Sequence, residues 1–334
     1  MSLGTLKRFI FIAIVLLFIA TIYRVFNKKH QEKINYKLLI DLSNYQEPVI
    51  KNNSPQKFEY TQKKINSSYK KTQKYPTAIV IGAQKCGTTA LMKFLSFHSS
   101  ISAQMTEQQF FNRDKNFENG TNYEIYRKSM MYSKPFQISI EKTPNYLAHK
   151  LAPERILDYQ NYLRKKLRFI LIARDPIRRA ISGVYHQVIN KGLNLTNLTE
   201  TLLKPENGFV DFSFYGFHLQ RWLGFFSIDQ FLILNGDEFA KNNPVTALKK
   251  VEDFLDIPHE FKAENFGFLP KKLGYYCYLP TSYCFPDDRG HSGYPEKLTE
   301  EGKKELKRVF EPDLKLFHKL TGVAIKIAEL ILRF

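Results

Sequence analysis

Acidic residues are scarce in this chain. Its 334 residues carry 32 Asp and Glu against 50 Lys and Arg, a formal net charge of +18 at pH 7. That deficit implies an anionic partner: nucleic acid, anionic lipid or an anionic polysaccharide. Cysteine is scarcer still, limited to Cys86, Cys277 and Cys284. No Cys/His spacing of a zinc site occurs, and no stretch carries a continuous basic recognition face, so nucleic acid is disfavoured. Two phosphate-loop signatures are missing as well. A Walker A loop has four residues between its first Gly and a Gly-Lys pair, whereas here Lys85 follows Gly82 by three and precedes Gly87. The three spaced glycines of a dinucleotide turn are absent too. An apolar content of 43% supports a real core, and the length suits one large domain or two modest ones.

What is present is organised around Ala78-Ile79-Val80-Ile81-Gly82-Ala83-Gln84-Lys85-Cys86-Gly87-Thr88-Thr89. The apolar, β-branched run reads as a buried strand. It breaks at Gly82, turns through Gly87 and enters a helix near Thr88. Converging backbone N–H groups and a helix N-terminus make an anion site there. Lys85 adds a point charge, and Thr88 and Thr89 add hydroxyl donors. A phosphate-bearing cofactor is expected. The bland alternative is a tight strand–helix turn that happens to contain a Lys.

Upstream, Lys7-Arg8 precede an apolar stretch, 9–26, flanked by further basic residues. With no clear small-x-small cleavage site, it reads as an uncleaved signal anchor rather than a cleaved signal peptide, leaving 1–8 as a cytoplasmic tail. Residues 27–74 are rich in Lys, Asn, Gln and Ser, contain no Gly or Cys, and read as a solvated stem. Sequons stand at Asn52, Asn66, Asn119, Asn194 and Asn197, a number that fits a lumenal face. Cys277 and Cys284 lie close enough to close a short loop by disulfide. Lumenal placement favours that bridge over two ordinary thiols.

Downstream, Glu107 precedes Phe110-Phe111. A carboxylate beside apolar rings suits proton abstraction; a solvated loop acid is the alternative. Residues 137–144 read as a strand ending at Lys142 and stopped by Pro144, with Lys142 either facing the Lys85 anion or lying at the surface. Residues 167–176 read as a buried strand that runs through Arg174 into a helix from Ile177. Arg174 and Ser182 can share one phosphate, with Arg forking two donors onto it. Arg178 and Arg179 read as solvated or paired with acids. A fourth strand spans 231–234, a core helix with Trp222 spans 214–226, and a helix with Pro at its start spans 244–255. Strand–helix alternation across 76–256 predicts an α/β fold with a parallel sheet covered on both faces. Residues 287–294 form a polar loop. A helix over 298–320 is expected to break or restart near Pro312. An amphipathic tail, 323–334, packs on the domain or lies on a membrane.

Taken in order, Gly82 to Thr89, Glu107 before Phe110-Phe111, Glu141-Lys142-Thr143-Pro144, Arg174-Asp175-Pro176 with Ser182, and Cys277 to Cys284 followed by Arg289-Gly290 resemble the heparan sulfate sulfotransferases. The glucosaminyl 3-O-sulfotransferases are most alike, and the sulfotransferase half of the N-deacetylase/N-sulfotransferases comes next. The resemblance covers about 75–322. It implies a single P-loop-like α/β domain with a central parallel sheet flanked by helices, which binds the sulfate donor PAPS. The donor's 5′-phosphosulfate then falls to Lys85, Cys86, Gly87, Thr88 and Thr89, and its 3′-phosphate to Arg174 and Ser182. Tyr276, Arg289, Gly290 and His291 complete the donor set. Glu107 becomes the catalytic base and Lys142 a second catalytic lysine beside Lys85. No metal is needed, because lysines and backbone donors supply the positive charge. The implied acceptor is heparan sulfate or a related anionic polysaccharide, and the implied place is the Golgi membrane with the domain in the lumen.

The chain departs from the 3-O pattern at Thr89, Gln109 and Asn112, which look more like the N-sulfotransferases, and at His291 in the donor loop. N-sulfation, or sulfation of another glycan, is therefore the alternative activity. A kinase or NTPase is disfavoured by the loop spacing. A basic glycosaminoglycan-binding protein with a decayed site is the alternative from another class.

Overall fold

Two branched aliphatics and an intervening valine fix the central strand. Ile79, Val80 and Ile81 are wholly buried, so both faces of their strand are covered, as parallel sheets require. The computed structural model describes residues 69–118, 121–269, 276–285 and 298–327. The anchor, the stem through 68, Asn52, Asn66, Asn119, Arg289, Gly290, His291 and the end of the tail lie outside the described residues. Among the described residues, no helix is long and apolar enough to cross a membrane.

In chain order, β1 (Thr72–Gln73) is followed by β2 (Ala78–Gly82), β3 (Ile101–Gln104), β4 (Tyr132–Ser133), β5 (Ile138–Lys142), β6 (Arg168–Ala173) and β7 (Phe231–Asn235). β1 and β4 form a small antiparallel ladder. The other five make one sheet in the order β3-β5-β2-β6-β7, and every neighbouring pair is parallel. The chain winds to one side of β2 for β3 and β5, then crosses to the other side for β6 and β7. The carboxyl end of β2 is therefore the switch point where open α/β sheets bind ligands.

The strand β3 was not legible beforehand, because Ile-Ser-Ala-Gln is half polar and short. As an edge strand it buries Ser102 and Gln104 while Ala103 stays partly covered. The helix Tyr215–Leu223 places Trp222 against Phe169 and Phe226. The last helix corrects the expectation of a break at Pro312: it is continuous over Glu300–Thr321 with the proline inside. Its packed face, Leu306, Phe310 and Phe317, is buried. The Asp313 carboxylate accepts the Gly216 and Phe217 N–H groups at 3.0 and 2.8 Å. These contacts offset the hydrogen bond that proline removes. At the tail, Ile325 is buried against the domain.

Candidate active site

The anion loop is shaped by backbone constraints. Gly87 caps the helix Thr88–Leu95 at φ 103°, with no side-chain cap. The first-turn N–H groups of a helix have no partner within it, so an uncapped start leaves them for a ligand. Ala83 N–H donates to Ile172 O at 2.9 Å, tying the turn to β6. A Cβ on Gly236 would stand 2.6 Å from Cys86 O, so only glycine lets the β7 turn approach the loop this closely. The Cys86 thiol points inward, 3.5 Å from Tyr215 Oη, and burial pushes its titration up.

Arg174 follows the tip of β6, and the next two residues aim it. Asp175 caps the helix Pro176–Lys191 by accepting from Ile177 and Arg178 N–H at 2.8 and 3.2 Å. Pro176 occupies the first helical position, where a missing N–H costs nothing. Asp237, just past β7, accepts the Asp175 N–H at 2.7 Å. Arg174 is half-buried, its Nη2 donates to Arg178 O at 3.3 Å, and its Nε is buried without a partner. Burial, and then the like charges of Arg174 and Arg179, lower the Lys85 ammonium from its usual range. Ser182, one helical face further on, is buried at the cavity wall.

Arg178 lies 3.8 Å from Asp175, as an acid pair. Arg179 corrects the reading of a solvated or acid-paired side chain. It is 1% exposed, and its Nη1 donates to Phe209 O at 2.7 Å and Ser213 Oγ at 3.2 Å.

Across the crevice, Lys142 Nζ lies 2.9 Å from Glu107 Oε1 and donates to Thr89 Oγ1 at 3.2 Å. Glu107 Oε2 also accepts from Gln109 Nε2 at 3.0 Å. Here the expected setting of Glu107 is corrected. Its side chain is 37% exposed, whereas Phe110 and Phe111 turn into the core around Tyr126. The buried acid is Glu141 next to Lys142, pushed up to about 7 by burial against three hydroxyl donors.

A cavity of about 650 Å³ lies between these elements, with Lys142 buried behind Glu107 and Thr89 rather than lining it. Lys85, Cys86, Gly87, Thr88, Thr89, Glu107, Arg174, Ser182 and Tyr276 all line it. Unforeseen in the sequence were His186, Asn190, Phe239 and Phe285, which line it too. His186 sits one helical turn beyond Ser182, a spacing that could have signalled it. Phe239 comes from the helix Gly236–Lys241, which Asn235 caps where only a strand end was read. Cys277 and Cys284 are joined in a disulfide just before Phe285. Asn194 and Asn197 are exposed. Among the described residues, no three His, Cys, Asp or Glu side chains converge as a metal site requires.

A cationic loop at the sheet's switch point, with an acid–lysine pair across from it, suits an α/β enzyme that handles an anionic group. The chain belongs to the family described as the sulfotransferase domain, which matches residues 76–271, and is a sulfotransferase. It is 33% identical over 264 residues to heparan sulfate glucosamine 3-O-sulfotransferase 5 of Mus musculus, covering 75% of this chain and 73% of that one. The Homo sapiens counterpart is 32% identical over the same shares. A solved sulfotransferase from Alicyclobacillus acidocaldarius superposes with a TM-score of 0.57 at 18% identity, over 75% of this chain and 98% of that one. That likeness shows the fold.

Proposed function

We propose that this enzyme moves a sulfuryl group from PAPS to a glucosamine residue of heparan sulfate, at the 3-hydroxyl. The observation that carries the proposal is the Glu107–Lys142–Thr89 chain, which sets an acid and an ammonium beside the anion loop. The relatives' names supply the acceptor class, and the net charge of +18 suits a polyanionic chain.

The donor's phosphates fit the residues present. Arg174 has a buried Nε in want of an acceptor, Lys85 is crowded by like charges, and the helix start is uncapped. A phosphate relieves all three. Arg174 and Ser182 would hold the 3′-phosphate. The loop from Lys85 to Thr89 would hold the phosphosulfate. The aromatic wall of Phe239, Phe285 and Tyr276 would face the base. Arg289, Gly290 and His291 belong to the same reading.

Glu107 takes the proton from the attacking hydroxyl. A new O–S bond forms as the bond from sulfur to the donor's phosphate oxygen breaks. Lys85 and Lys142 stabilise the charge developing on the sulfuryl and leaving oxygens. The Cys277–Cys284 bridge and the exposed Asn194 and Asn197 suit an oxidising lumen. A Golgi enzyme held by its N-terminal anchor is the corresponding placement.

The test is transfer of radiolabelled sulfate from PAPS to heparan sulfate by the full chain, followed by disaccharide analysis of the product. Label at the 3-hydroxyl is expected. Label on nitrogen would instead favour the reading suggested by Thr89, Gln109 and Asn112. No transfer to any glycosaminoglycan, with heparin bound but no PAP affinity by calorimetry, would leave a binding protein.

A further inference from the structure

The loop that carries Glu107 has no helix or strand of its own between 105 and 113, and Gln109 sits at φ 54°. Its shape is imposed from below. Thr143 Oγ1 accepts the Gln109 N–H at 3.2 Å. Tyr146 Oη accepts the Phe110 N–H at 3.0 Å and the Phe111 N–H at 3.4 Å. Three consecutive amides therefore hang on two hydroxyls, and both hydroxyls belong to fully buried residues.

Those hydroxyls face one buried carboxylate. Thr143 Oγ1 donates to Glu141 Oε2 at 3.0 Å, and the Tyr146 hydroxyl faces the same carboxylate. Tyr126 Oη donates to Glu141 Oε1 at 2.9 Å, while its ring stacks on Phe110 with centroids 4.7 Å apart. Glu141 itself is wholly buried. Burying a carboxyl is costly unless its lone pairs are used, and here hydroxyl donors use them, with no cation in contact among the described residues. Strand alternation turns the next residue, Lys142, to the opposite face, where it meets Glu107. One strand end thus orients the acid twice, by a charge from above and by a hydroxyl relay from beneath.

We propose that Glu141 is a positioning residue for the transfer reaction, fixing the backbone of the Glu107 loop against Lys142 through Thr143 and Tyr146. This rests on the reading of Glu107 as the base. A misplacement of about 1 Å at a reacting group can cost on the order of a hundredfold in rate, so a relay of this kind acts on turnover rather than on donor affinity.

The experiment compares Thr143→Val, Thr143→Ser and Glu141→Gln in the full chain. Thr143→Val is expected to lower kcat about ten- to a hundredfold, to leave the Kd for PAP within about twofold, and to speed amide exchange at Gln109, Phe110 and Phe111. Thr143→Ser keeps the hydroxyl and is expected to restore both turnover and exchange protection. Glu141→Gln is expected to lower kcat in the same direction with PAP affinity kept. The proposal is overturned if Thr143→Val keeps wild-type turnover. It is equally overturned if Ser and Val lose turnover alike, or if kcat and PAP affinity fall together. Glu107→Gln run in parallel separates the two readings: wild-type turnover there removes the base assignment, whereas the exchange data report on the relay by themselves.

Discussion

The two walls of the crevice carry similar charge in opposite states. On the β2–β6 side, Lys85 and Arg174 are crowded together, and among the described residues no carboxylate pairs with either. On the β5 side, Lys142 is already paired with Glu107 at 2.9 Å. Cations held close without a counter-ion are costly, and a bound polyanion relieves that cost. A lysine already paired with an acid gains less from a further anion, but it fixes the position of the acid proposed above as the base. On the function proposed above, one wall would bind and the other would react.

The largest expected effects would break that division. Glu107→Gln should lower kcat by roughly a hundred- to ten-thousandfold while PAP affinity holds. Arg174→Ala should do the converse, weakening PAP by about ten- to a hundredfold in calorimetry, the scale of a lost charged hydrogen bond. If both substitutions move the same quantity, the two walls are not separate.

A comparison of two buried acids sharpens the point. Burial first of all raises Glu141 and Asp313 to about 7. Tyr126, Thr143, Tyr146 and the Glu107 charge face Glu141. The Tyr215, Gly216 and Phe217 amides and the Asp211 charge face Asp313. An acid raised in the fold binds more protons folded than unfolded. Its contribution to stability is therefore greatest below the unfolded value and lost as pH rises toward the folded one. Thermal stability should fall between about pH 4 and 7, by at most on the order of 4 kcal/mol for each group. Asp313→Asn and Glu141→Gln should each flatten that slope in melting curves, but only Glu141→Gln should also lower turnover.

Gly236→Ala is a smaller perturbation of the binding wall. Its Cβ would meet Cys86 O at 2.6 Å, and the resulting shift should cost about 1–3 kcal/mol, read as a lower melting temperature with weaker PAP binding. Arg178→Ala removes only a partly exposed pair at 3.8 Å and should change stability by less than about 1 kcal/mol, leaving PAP affinity in place.

Local chemistry made much of this legible. The runs at Ile79-Val80-Ile81 and Phe169 to Ala173 announce strands because β-branched and aliphatic side chains suit a surface buried on both faces. Gly87 followed by two threonines announces an anion-binding helix start, and Arg174-Asp175-Pro176 announces a strand tip feeding a capped helix. Less could be read where burial depends on what packs from elsewhere. The short edge strand Ile101–Gln104 carries no apolar run. Arg179 carries the same charge as Arg178, yet it is buried because the 209–213 segment folds over it and offers a carbonyl and a hydroxyl. Phe239 and Phe285 reach the cavity from segments whose sequences show only ordinary aromatics.

By itself the sequence determined the alternating α/β plan, the anion loop and the identity of the charged groups, since these follow from periodicity, glycine placement and side-chain type within a few residues. Only the tertiary structure decided which of those groups meet. Lys142 touches Thr89 across 53 positions of chain because β5 lies beside β2 in the sheet. Glu141 takes the Tyr126 and Thr143 hydroxyls because β5 carries it into the core. Strand order and burial arise from contacts between distant segments, and short-range spacing does not encode them.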